Sequence, residues 1–67
     1  MKKDILDAIS NDRSRLVGQG EWEKDSCYQV HEVDGKFYAI VVADQSSMWL
    51  MDDTLEEIKE EDIGKYI

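Results

Sequence analysis

The chain has 67 residues, of which 42% are hydrophobic, with 16 acids against 8 bases, a net charge of −8, four glycines and no proline. A chain this short makes one small domain and has no room for a large buried active site, while its apolar content argues for a folded chain and against a solvated tail. The charge is uneven: residues 1–20 hold four bases and three acids, residues 21–67 four bases and thirteen acids, which disfavours direct contact with nucleic acid or an anionic membrane and favours a basic protein partner.

The N-terminal "MKKDILDAIS" has an aspartate at position 4 and no apolar run long enough for a signal peptide or a membrane span, so a cytoplasmic protein is expected. Over residues 3–16 the spacing of Ile5, Leu6, Ile9 and Leu16, with Asp4 and Asp7 early and Arg13 and Arg15 late, predicts an amphipathic helix. Gly18 or Gly20 in "VGQGE" would end it.

"CYQVHEV" and "KFYAIVVA" flank Asp34-Gly35, the two-residue signal of a type I′ hairpin. That turn sets Val33 against Lys36 and Tyr28 against Val41. Tyr28, Val30, Phe37, Ala39 and Val41 then share one face, read as the core. A third strand, "SMWLM", returns through Gln45-Ser46 and pairs Ala43 with Met48, Val42 with Trp49, Val41 with Leu50 and Ile40 with Met51. The opposite face carries Gln29, His31 and Lys36 but also Tyr38, Ile40, Val42, Trp49 and Met51. It is too apolar to stay wet, so a helix, the Trp22 segment or another chain should cover it. Thr54 with Glu57 three residues on fits a capping box, predicting a short helix from about Thr54 to about Glu60, after which Ile63, Tyr66 and Ile67 tuck against the sheet. The expectation is one α+β domain, residues 1–67: N-terminal helix, three-stranded antiparallel meander, short C-terminal helix.

Little in the sequence promises chemistry. Cys27 is the single cysteine, which forbids an intrachain disulfide and a Cys-rich metal site and suits an intracellular chain. Cys27 and His31 share a strand face but lie roughly 13 Å apart at about 3.3 Å per residue, too far to form a dyad. "DDTLEEIKEED" lacks the alternating ligands and central glycine of a calcium loop, and "GQG" is no phosphate loop. No metal or cofactor is implied, and no pair supplies an acid, base or nucleophile, so a non-enzymatic role is expected.

The acids themselves are the strongest feature. Residues 52–62 carry seven acids and one lysine, a net −6 over about 16 Å if helical at roughly 1.5 Å per residue, against one charge per about 1.7 Å of duplex DNA axis. Glu21, Glu23, Asp25, Glu32, Asp34 and Asp44 add to it from the sheet. In size, acidity and α+β layout the chain resembles small phage-encoded anti-restriction and anti-CRISPR proteins, several of which are similar to DNA in surface charge. The resemblance rests on overall character and covers the whole chain. It implies an inhibitor in the bacterial host's cytoplasm that occupies the DNA-reading surface of a nuclease or CRISPR effector complex, for example where a PAM is read. Candidate partner-binding residues are Asp52, Asp53, Glu56, Glu57, Glu60 and Glu61, with Glu32, Asp34, Asp44 and Trp49. The rival expectation is a structural or interaction module, monomeric or homodimeric, that docks through its Trp49/Met51 sheet face while the acids only solubilise it.

Overall fold

A computed structural model describes residues 2–43 and 49–67. Helix α1 (Lys2–Ser10) is followed by strands β1 (Arg15–Glu21), β2 (Ser26–Val33), β3 (Lys36–Ala43) and β4 (Trp49–Ile58), and then by a 3-10 helix, Glu60–Lys65. The strands form one antiparallel meander in the order β1-β2-β3-β4. The class is α+β with four strands where three were expected.

The N-terminal helix ends six residues early. Asp12 takes the left-handed conformation (φ 58°), and the bonds Arg13 N to Ala8 O (2.7 Å) and Asp12 N to Ile9 O (3.4 Å) close a Schellman turn. The Asn11 side chain adds a bond to Asp7 O at 2.8 Å. Arg15 and Leu16 therefore start β1, and the two glycines lie within that strand. A Cβ on Gly20 would come within 2.0 Å of the Tyr66 carbonyl oxygen, and one on Gly18 within 2.7 Å of Ile67 Cδ1. The glycines let the C-terminal residues lie directly on β1. Gly20→Ala is expected to lift Tyr66 and Ile67 off the strand at a cost of about 1–3 kcal/mol, read as a lowered urea midpoint.

The β2–β3 hairpin matches its sequence prediction: Asp34 (φ 52°) and Gly35 (φ 80°) form the turn, and the pairs run from Val33–Lys36 to Tyr28–Val41 and on to Ser26–Ala43. β4 departs from its prediction twice. Its register is shifted by one residue, with Ala43 opposite Trp49, Val42 opposite Leu50 and Val41 opposite Met51. A shift of one exchanges faces, so Leu50 joins Val42 and Met51 joins Val41. Met48 and the Gln45-Ser46 turn lie outside the described residues.

The second departure is that no helix starts at Thr54. Past Met51 the strand bulges and resumes with Ala39 opposite Glu56, Tyr38 opposite Glu57 and Phe37 opposite Ile58. Met51 to Glu56 is five steps where Val41 to Ala39 is two, so β4 carries three extra residues. Thr54 fills the bulge: its Oγ1 accepts from Val41 N (2.9 Å) and donates to Met51 O (2.6 Å). The hydroxyl expected to cap a helix instead satisfies a ladder amide that the bulge would leave bare.

Both sheet faces are covered. Under α1, Ile9, Ile40 and Leu55 form a buried cluster with Ile5, Leu6, Tyr38 and Leu50 against it, so the helix supplies the cover that the apolar second face required. On the other face lie Val30, Ala39 and Val41, each at most 1% exposed. There Tyr66 meets Tyr28 edge-on at 5.2 Å, and Trp22 meets Tyr28 at 4.7 Å.

Candidate functional site

β4 is an outer strand, and it carries the acids along an open edge. Asp52 and Asp53 are exposed on the bulge, Glu56 and Glu57 on the regular strand, and Glu60 and Glu61 on the 3-10 helix. The spacings of three and four that would make these residues neighbours on a helix do not apply. At about 3.3 Å per strand residue and about 2 Å per 3-10 residue, the run carries one net charge per roughly 5 Å, well below duplex DNA.

Strand alternation sends Glu56 and Glu57 to opposite faces, and both border two shallow clefts. On the α1 side, Asp4, Asp34, Glu56 and Glu57, with Lys2 beside them, ring a space of 400 Å³ floored by Ile5, Tyr38 and Leu55. On the other side, Glu56, Asp62 and Tyr66 border one of 410 Å³. Asp34 thus reaches the β4 acids from the hairpin turn. Glu32 does not join them; its Oε1 is held by Arg15 Nε at 2.7 Å on the β1 side. Asp62 pairs with Lys65 at 3.0 Å, while Asp52, Asp53, Glu57, Glu60 and Glu61 form no ion pair among the described residues. Asp44 lies outside them. Trp49, at the start of β4, is 68% exposed.

Tyr66 donates its hydroxyl proton to Glu56 Oε1 at 2.5 Å. That bond, helped by burial and the neighbouring negative charge, pushes the phenol up to about 12 from its ordinary 10.0. Among the three tyrosines, one is expected to ionise near pH 12 in an ultraviolet titration, and Glu56→Gln should bring it back toward 10.0. An unchanged titration in the variant would contradict the bond.

Under α1 the strands hold a chain of polar side chains that sequence spacing did not reveal. Ser14 Oγ lies 2.8 Å from His31 Nδ1, His31 Nε2 lies 2.8 Å from Gln29 Oε1, and Gln29 Nε2 donates to Gln19 Oε1 at 3.1 Å. Since Gln29 Oε1 only accepts, His31 carries its proton on Nε2 and accepts the Ser14 proton at Nδ1. Gln29 and His31 are 3% and 6% exposed; burial lowers the His31 pKa below 6.5 and so favours the neutral ring. Cys27 extends the chain with a weak contact to Gln19 at 3.9 Å, and burial pushes its thiol up. Cys27 and His31 do not touch, as their spacing implied. Their sequence neighbours concealed the actual partner of His31, which comes from the loop between α1 and β1.

Among the described residues no group of three or more His, Cys, Asp or Glu side chains is placed to hold a metal ion, and no helix is long and apolar enough to cross a membrane. Comparison with known proteins returned no match to a family model, a curated sequence or a solved structure.

Proposed function

We propose that the protein is a binding module that grips a basic protein surface through the acidic β4 edge, and that by occupying a DNA-reading groove it keeps nucleic acid out. The observation that carries this reading is the cleft where Asp34, Glu56 and Glu57 outnumber the lining cation, Lys2, around the Tyr38 ring and the Ile5 and Leu55 side chains. A lysine or arginine entering it would meet carboxylates at its charged end and apolar surface along its stem. Asp52, Asp53, Glu60 and Glu61, which form no ion pair among the described residues, extend the same field along the edge and would speed encounter with a cationic partner. The lower charge density of a strand argues for contact at a few lysines or arginines and against imitation of a continuous phosphate backbone.

The test is capture of DNA-binding defence complexes from a bacterial lysate, with duplex DNA added as competitor. Retention that collapses between low and high salt and is displaced by DNA is the expected result. Retention indifferent to both would refute the proposal. It would favour instead docking through Trp49, whose 68% exposure is the observation behind that second reading.

A further inference from the structure

We infer that Ser14 is an acyl-accepting nucleophile, activated by His31, in a concavity suited to small uncharged esters. Going beyond the binding reading, this inference uses none of the β4 carboxylates. Three observations converge on it. First, hydroxyl, imidazole and amide stand in one hydrogen-bonded line, Ser14 Oγ to His31 Nδ1 at 2.8 Å and His31 Nε2 to Gln29 Oε1 at 2.8 Å. A nucleophile, a base in reach of its proton and a third group orienting the base is the arrangement on which hydroxyl nucleophiles depend. Gln29 is itself anchored by Gln19 at 3.1 Å, so the ring is held in the tautomer that leaves Nδ1 free to accept.

Second, the line opens into a concavity of 590 Å³ between the end of α1 and the sheet. Ser14, His31 and Gln29 contribute to its wall, and Ile9, Leu16 and Leu50 supply apolar surface for an acyl chain. Asp12, the one carboxylate in its wall among the described residues, disfavours an anionic substrate. Third, Ser14 is half-buried, open enough to be attacked from, while His31 is 6% exposed and shielded from bulk water.

The step balances within these groups. Ser14 Oγ bonds to the ester carbonyl carbon as its proton passes to His31 Nδ1. The carbon–oxygen bond to the alcohol then breaks, and the alcohol leaves with the proton from Nδ1. The product is acyl-Ser14 with His31 neutral again.

p-Nitrophenyl butyrate is the probe, with nitrophenolate release followed by absorbance and the modified residue located by peptide mass spectrometry. The wild type is expected to carry butyrate on Ser14, and His31→Gln to acylate about 100-fold more slowly or worse. Ser14→Ala deletes one hydroxyl at a half-buried position and serves as the folded reference, checked by circular dichroism, if His31→Gln does not fold. Wild-type protein that releases nitrophenolate no faster than Ser14→Ala, or carries butyrate only on lysines, would overturn the inference. Capture of a basic partner by the acidic edge would be untouched by that outcome.

Discussion

Ile40→Ala is expected to lower the thermal midpoint by about 8 °C or more. Ile40 is 0% exposed at the centre of β3 and joins Ile9 of α1 to Leu55 of β4. Truncating such a side chain removes its transfer free energy and leaves a cavity, together about 2–5 kcal/mol. For a domain of this size each kcal/mol moves the midpoint by roughly 4–8 °C. Since small domains are stable by only about 0.05–0.15 kcal/mol per residue, the loss is a large share of the total. Ile40→Val, which keeps the branch at Cβ, should cost about 0.5–1.5 kcal/mol. Calorimetry on both variants checks the ranking; a shift of only a few degrees for Ile40→Ala would mean that α1 does not depend on this cluster.

The second large effect is expected at the acidic edge and depends on position, not on total charge. Glu56→Lys with Glu57→Lys should weaken capture of a basic partner by at least 100-fold, while Glu21→Lys with Glu23→Lys should change it only a few-fold. Each reversal adds two units, so either pair takes the net charge from −8 to −4. The strand order sets Glu21 and Glu56 on opposite outer strands, across three spacings of about 4.8 Å, or roughly 14 Å. That exceeds the screening length of about 8 Å at physiological ionic strength, so the two edges act as separate fields. Titrating both pairs against the same partner separates the readings: equal losses would show that only net charge matters, and no loss in either would move the contact to Trp49.

The hairpin at Asp34-Gly35 was fully legible in the sequence because its cause is local: two residues that tolerate positive φ, flanked by alternating strands. β1 was not, because Gly18 and Gly20 read as breakers until Tyr66 and Ile67, some fifty residues away, are known to lie on them. The second half of β4 was misread for a related reason. Leu55 and Ile58 are three apart, a helical interval, yet on a strand three steps reach opposite faces. Leu55 is buried beneath α1 and Ile58 stands opposite Phe37 on the other side. A sheet covered on both sides hides its period of two. The identity of the acids was plain from composition, but their division between an edge strand and a 3-10 helix, and the loss of Glu32 to Arg15, required the fold. Ser14 escaped notice because its partner is 17 residues away, across the β1–β2 ladder.

The bulge in β4 bears on how the molecules behave in a crowd. An outer strand with bare amides invites a second molecule to add on, and repeated addition ends in fibres. Here three surplus residues break the outer strand's phase, and the carboxylates of two copies would confront one another at any attempted junction. The same feature that offers a cationic partner its landing place denies one to the protein's own kind. Neutralising those carboxylates in acid removes half of that protection, leaving the bulge alone to keep the sheets apart.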